Sequence, residues 1–343
     1  MKRISIITCT ALPLLCIFAC SESELERVSV WTVIAIPELK FGKPSLFAVD
    51  GRPAAAPWAV GENGTILTYD DYLWEEYGLN VTESSIYDID ISSGSSGWAV
   101  GAGGTMLQFI NGDWLLSPPV CTVDLYAVAL DDNNGGWAVG DAGCILRFDG
   151  TEWTVFEHNA TNVTLNDVSI GSNDTAWAVG DAGTVLFYDR TGWESIPSPT
   201  PNTLYSVATI PANGLTPSET YICGDGGAFF EFTNLTWYEI DIGTTATLRD
   251  ICLYDNTRGF VVGERDSLYE MTSDGWVKVD IDFPLIEEPI SLKDVTLTSA
   301  TEGWAVGSNG VILRYGPAEN WHGDLMKDKW REYGDIKKEK HNP

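Results

Sequence analysis

Histidine is scarce in this chain, with 3 residues in 343, and cations are outnumbered, with 20 Lys and Arg against 49 Asp and Glu. Only His158 falls away from the C-terminus, where His322 and His341 lie. A Ser-His-Asp triad would therefore rest on a single imidazole, and histidine acid–base catalysis has little to work with. The deficit of cations gives a net charge of −29. Such a surface repels nucleic acid and anionic lipid headgroups and favours basic partners. No CxxC or clustered Cys/His motif exists, which leaves structural zinc without ligands. The apolar run from Ile4 is too short and too N-terminal for a membrane-spanning helix. What is present describes a folding chain: 44% hydrophobic, 11% aromatic and 34 glycines, far from the composition of disorder.

The first 20 residues, MKRISIITCTALPLLCIFAC, place Lys2 and Arg3 before the apolar run and Ala19 before Cys20, the layout of a secretory signal. The segment Ile17-Phe18-Ala19-Cys20 resembles the lipobox of bacterial lipoproteins, with Phe18 departing from the usual small residue. The reading is a signal peptide over 1–19, lipidation of Cys20 and a linker over 20–27. By the same resemblance, Ser21 in place of Asp favours anchoring in the outer rather than the inner membrane. Export places Cys121, Cys144, Cys223 and Cys252 where disulfides persist. Sequence alone leaves three pairings open: a Cys121–Cys144 bridge at one rim is one candidate, and Cys223 and Cys252 are either buried thiols or a second bridge.

One phrase returns seven times, exemplified by PWAVGENGTILTYD from Pro57, GWAVGDAGCILRFD from Gly136 and GWAVGSNGVILRYG from Gly303. Its leading aromatics are Trp58, Trp98, Trp137, Trp177, Tyr221, Phe260 and Trp304, about 40 residues apart, a propeller-blade period. A Leu-x-x-Val stretch precedes each phrase, from Leu46–Val49 to Leu292–Val295, and a tryptophan follows, from Trp74 to Trp321. Each repeat thus holds four short strands. In Trp-Ala-Val-Gly the period of two puts large residues on one face and small ones on the other. Large faces can then pack on the small faces of the next sheet, and a closed ring buries them all.

The expected fold is therefore all-β: a seven-bladed β-propeller of four-stranded antiparallel blades over 28–321, followed by a polar, basic tail over 322–343. Two tryptophans, Trp31 and Trp321, compete for the last outer strand. Trp31 leads into the β-branched Thr-Val-Ile-Ala-Ile, whereas Trp321 leads into HGDLMKDK, which suits a strand poorly. Residues 28–35 are accordingly expected to pair near residues 311–315 and close the ring.

The phrase WAVG, two residues, then GT-I-L and a downstream Trp resembles the repeat of the photosystem II stability and assembly factor family. More broadly it resembles the BNR or Asp-box repeats of sialidase-like propellers. The resemblance implies a protein-binding scaffold in assembly or quality control. It also implies an arginine patch, yet the matching inner-strand positions read Phe47, Tyr87, Tyr126, Asn166, Tyr205, Arg249 and Lys293, of which two are cationic. A homologous scaffold with a different client is the better inference.

Candidate binding residues are thus Phe47, Tyr87, Tyr126, Tyr205, Arg249 and Lys293, since aromatics bury much area with few rotors. An acid recurs in the hairpin after the second strand, at Glu62, Asp141, Asp181, Asp225 and Glu264, with Ala102 and Ser308 as exceptions. These turns lie on one face, where their field would attract a basic peptide; acids on separate blades diverge too far to hold one calcium. No cofactor or metal is expected. The function read from the sequence is a non-enzymatic, exported scaffold that binds protein or peptide. The alternative is a carbohydrate-binding or glycosidase-type propeller, which needs two close carboxylates beside aromatics.

Overall fold

The structure, a computed structural model, describes residues 29–34, 42–53, 55–70, 73–78, 81–93, 96–131, 135–172, 174–210, 219–281 and 289–317. The signal segment, Cys20, the linker, Trp321 and the tail over 322–343 lie outside the described residues. Seven four-stranded antiparallel sheets form in chain order. Blade 1 runs from its inner strand Leu46–Asp50 through Trp58–Gly61 and Ile66–Tyr69 to the outer strand Trp74–Glu76. Inner strands of successive blades touch all the way around, and that of blade 7, Leu292–Ser299, touches that of blade 1. The ring is closed.

Closure uses the N-terminal segment. Ser29–Ile34 pairs antiparallel with Ile312–Pro317, Trp31 standing opposite Tyr315. Blade 7 therefore takes its outer strand from one end of the chain and its other three strands from the far end. The expected pairing of 28–35 with 311–315 is borne out.

Packing between blades follows the large-on-small pattern. Trp98 and Val100 of blade 2 bury against Ala138, Leu146, Phe148 and Trp153 of blade 3, and Trp304 and Val306 of blade 7 against Ala59, Leu67, Tyr69 and Trp74 of blade 1. Each leading aromatic meets the outer tryptophan of the next blade edge to face. Trp58 lies 5.8 Å from Trp114, Trp137 5.2 Å from Trp193, and Trp304 5.1 Å from Trp74. Phe260 of blade 6 completes the cycle on Trp31, at 5.0 Å and 86°. Such pairs add about 0.5–1.5 kcal/mol each beyond their area.

Two glycines per repeat have separate reasons. The Gly of WAVG has an extended backbone, as Gly140 does at φ −173. A Cβ there would sit 2.0 Å from the Asp124 carbonyl oxygen, so only glycine fits. The second glycine closes a two-residue hairpin of type I′, with Asn63 at φ 56 and Gly64 at φ 71 and the Thr65 N–H donating to Glu62 O at 3.0 Å. Blade 6 replaces this glycine by Asp266 at φ 58. Its carboxylate accepts the Ile290 N–H at 2.7 Å, and aspartate tolerates that conformation better than most residues.

Inner strands are also tied by side chains. Asp88 accepts the Val128 N–H of the next blade at 2.7 Å, Asp167 that of Val207 at 2.7 Å, Asp250 that of Val295 at 3.0 Å and Asp294 that of Val49 at 2.6 Å. Ser206 and Asp50 do the same for Ile251 and Ile91. The equivalent N–H groups of Ile89 and Val168 are met instead by Asp88 and Asp167 of their own strands, at 2.8 and 2.7 Å. These carboxyls are enclosed by the ring and withdrawn from solvent, so ionisation is disfavoured. Burial, reinforced by Asp250, pushes Asp167 up to about 7. Burial likewise raises Asp50 and holds Asp88 and Asp294 well above the ordinary carboxylate range.

A pH dependence results. An unfolded chain releases these protons near pH 4, whereas the native ring holds the Asp167 proton up to about pH 7. Native protein binds more protons across that window, so stability falls as pH rises from about 4 to about 7. Thermal melts in high salt, which screens surface repulsion, should give a higher midpoint at pH 5 than at pH 8. A midpoint that rises over that interval would contradict the assignment.

Candidate functional site

The hairpins and the leading ends of the inner strands share one face. The Glu62 N–H donates to Ser45 O at 3.0 Å, just ahead of Leu46, and the contact recurs from Asp141 to Asp124 and from Asp225 to Thr203. The second position of each inner strand therefore opens beside the hairpin acids, and the two sets of candidates form one surface around this mouth of the channel.

Three aromatics make a continuous arc across blades 1 to 3. Phe47 lies 5.6 Å from Tyr87, and Tyr87 stacks on Tyr126 at 5.3 Å and 30°. All three are half-buried. Acids frame the arc. The Tyr87 hydroxyl donates to Asp124 Oδ2 at 3.3 Å. Asp141 faces Tyr126 and also accepts the Thr164 hydroxyl of the next blade at 3.0 Å. Burial, and then the charges of Asp141 and Asp124, push the Tyr126 hydroxyl up to about 12. It stays protonated and donates. Burial and Asp124 raise Tyr87 in the same way.

Asp124 was not among the sequence candidates. Blade 2 carries Ala102 where five other hairpins carry an acid, and Asp124, just ahead of the blade 3 inner strand, supplies the missing carboxylate. Its Oδ1 accepts the N–H of Gly103, in the Ala102 hairpin, at 2.7 Å. The only sequence signal was an acid in the column that reads Ser or Thr elsewhere, as at Ser45, Ser85, Thr164, Thr203, Thr247 and Ser291.

Blades 4 to 7 build the opposite side. Asn166 donates to Leu204 O at 2.8 Å and to Asp181 at 3.4 Å. Tyr205 donates to Asp225 at 3.5 Å, and Thr247 to the other Asp225 oxygen at 3.0 Å. The Arg249 guanidinium covers the Tyr205 ring at 4.2 Å and pairs with Glu264 at 2.5 Å, which holds the Glu264 carboxyl below its ordinary range. Lys293 stands beside this pair, its ammonium disfavoured first by burial and then by Arg249. The mouth is polarised, with aromatic and acidic groups on blades 1 to 5 and the cations Arg249, Arg265 and Lys293 around Glu264 on blades 6 and 7. Glu62 belongs to this rim through its own blade, accepting the Ser45 N–H at 3.0 Å.

The remaining candidates sort as follows. His158 donates from Nε2 to Gly143 O at 2.8 Å and accepts the Ala160 N–H at Nδ1, so the backbone occupies both nitrogens. Arg147 and Arg314 lie over Trp137 and Trp304 at 4.5 and 5.7 Å, equivalent positions of the repeat. The Cys121–Cys144 bridge is not formed, and Cys223 and Cys252 take the thiol alternative: all four are free. Cys121 donates from Sγ to Val123 O at 3.8 Å, and Cys121 and Cys144 pack against one cluster between blades 2 and 3. Cys223 stands opposite Ser206 and Cys252 opposite Phe260, on different blades and different strands. Among the described residues no cluster of His, Cys, Asp or Glu fits a metal ion. At the far mouth a cavity of about 400 Å³ is lined by Asp50, Arg52, Asp88, Asp90 and Asp294.

Comparison with known proteins agrees with this architecture. The family model described as photosynthesis system II assembly factor YCF48 matches residues 229–324. No curated protein matches the chain by sequence. A solved structure described as YCF48 bound to D1 peptide superposes with a TM-score of 0.66 at 19% identity, over 83% of this chain and 94% of that one. YCF48 from Cyanidioschyzon merolae gives 0.65 at 16%, over 84% and 99%. The RRP9 WD40 repeats give 0.67 at 9%, over 83% and 97%, a likeness of fold alone. The matched repeat, the blade count and the superposition make this chain a seven-bladed propeller similar to the YCF48 assembly factors.

Proposed function

We propose that the protein is a non-enzymatic scaffold that binds a peptide or protein segment at the hairpin-side mouth, and that it is exported and lipid-anchored through Cys20 in the bacterial envelope. The observation that carries the binding role is the arc Phe47–Tyr87–Tyr126 framed by Asp124 and Asp141. Stacked rings with fixed hydroxyls are pre-organised anchors, and the surrounding carboxylates attract a basic segment. A YCF48 propeller of this fold is seen bound to a peptide, which supports the same class of ligand here. The layout of residues 1–20 supports export and anchoring, and an anchored propeller would present this mouth to envelope proteins.

Selection from a random displayed peptide library on the immobilised chain beginning at Ser21 tests the reading. The enriched peptides should carry net positive charge, and their affinity should fall as salt rises. Enrichment of neutral or acidic sequences, or binding of glycans in place of any peptide, would overturn it.

A further inference from the structure

The connections between the first and second strands of the blades lie at the opposite end of the ring from the hairpin acids. There, between blades 7 and 1, a cavity of about 580 Å³ opens, a size that suits a small molecule. Trp304 of blade 7 and Tyr69 of blade 1 form its floor, with ring centroids 4.6 Å apart. Ala55 and Pro57 line the blade 1 side. On the blade 7 side Arg314 stands opposite Trp304 in the strand register, next to Glu302. An equivalent cavity between blades 2 and 3 measures about 300 Å³ and carries Ser96, Gln108 and Phe148 where this one carries Glu302, Arg314 and Tyr69. The template is shared, and the cavity at the ring closure is the larger and the charged one of the two.

Arg147, at the matching position of blade 3, lies down on Trp137 at 4.5 Å, whereas Arg314 stands off Trp304 at 5.7 Å. Its polar partner among the described residues is Glu302, through Nη2 and Oε1 at 3.4 Å. One long contact leaves most of a five-donor fork to whatever fills the cavity. Both side chains are partly exposed, so the pair yields readily to a ligand that offers each a closer partner. We propose that this cavity binds a free α-amino acid with an apolar side chain. Its carboxylate lies on Arg314, its ammonium on Glu302, and its side chain against Ala55, Pro57 and the Trp304–Tyr69 floor. A simple anion would meet the carboxylates of Glu302 and Asp70, and a simple cation would meet Arg314 and Arg52. A molecule carrying both charges on one carbon matches a guanidinium and a carboxylate held side by side. Arg52 is committed elsewhere, to Ile91 O and Asp90, which leaves Arg314 as the donor to the ligand. The site is remote from the Phe47–Tyr87–Tyr126 arc and stands whether or not that arc binds a peptide.

L-Leucine is the probe, titrated calorimetrically into the folded chain beginning at Ser21. Beside it run N-acetyl-L-leucine, which lacks the ammonium, and L-leucine methyl ester, which lacks the carboxylate. Leucine should saturate a single site, and each blocked form should bind about tenfold more weakly or worse. Arg314→Met and Glu302→Gln should each weaken leucine by about tenfold or more. Gln108→Met, in the equivalent cavity of blades 2 and 3, should leave its affinity unchanged. Thermal melts show whether the variants are folded, and the blocked ligands test the unaltered protein. Failure of leucine to saturate, equal binding of the blocked forms, or leucine affinity that survives both substitutions would overturn the proposal. So would a loss of leucine binding in folded Gln108→Met.

Discussion

Trp31→Ala should destabilise the propeller by about 3–5 kcal/mol, the scale of an aromatic truncation in a packed site, measured by denaturant or thermal unfolding. Trp31 contacts both Phe260 of blade 6 and Tyr315 of its own blade, at 5.0 and 5.3 Å. Its loss opens the blade 6 to blade 7 interface at the one place where the ring is closed by non-covalent pairing of the chain's two ends. Removing residues 29–34 altogether should go further. The strand Ile312–Pro317 would be left as an unpaired edge, and the ring would lose cooperativity and associate through that edge. Trp321→Ala is the control. Because Trp31 already fills the outer-tryptophan position of blade 7, that substitution should cost far less. Equal losses from the two tryptophans would refute the closure.

Tyr126→Ala should weaken binding of a selected basic peptide about thirtyfold or more, corresponding to a hot-spot loss of about 2 kcal/mol. The ring is the end of the stacked arc and its hydroxyl faces Asp141, so the truncation removes contact area and the stacking that orients Tyr87 together. Tyr126→Phe keeps the ring and should retain most of the affinity. Asp124→Asn with Asp141→Asn should act differently, slowing association and flattening the salt dependence, because these carboxylates contribute attraction more than contact. Thermal melts separate both effects from misfolding. If the alanine variant binds as tightly as wild type while folded, the arc is not the site.

Most of the fold was legible because it is periodic. Trp58 through Trp304 and the tryptophans that follow them repeat one strand order seven times, and alternation in WAVG already dictated large-on-small packing. Trp31 could be preferred over Trp321 from the β-branched residues beside it. The site was legible only in part, because binding residues are those that break the repeat. The aromatic positions stood out as variation on a fixed template, but their neighbours come from other blades. Arg249 over Tyr205 joins residues 44 apart in sequence, one blade to the next. Asp124 went unseen because the acid moved to a different column from the one that Ala102 vacates. The channel aspartates were visible as the third residue of several Leu-x-x-Val stretches, yet nothing local reveals that Asp88 reaches a backbone N–H 40 residues on.

Photo-crosslinking locates the ligand on the ring most directly. A benzophenone amino acid placed at Tyr126, on the hairpin-side mouth, or at Thr209, which lines the far mouth, is irradiated with a selected basic peptide at a concentration near its Kd. The account predicts efficient capture from position 126, abolished by excess unlabelled peptide, and background capture from position 209. Capture from 209 with none from 126 would contradict it.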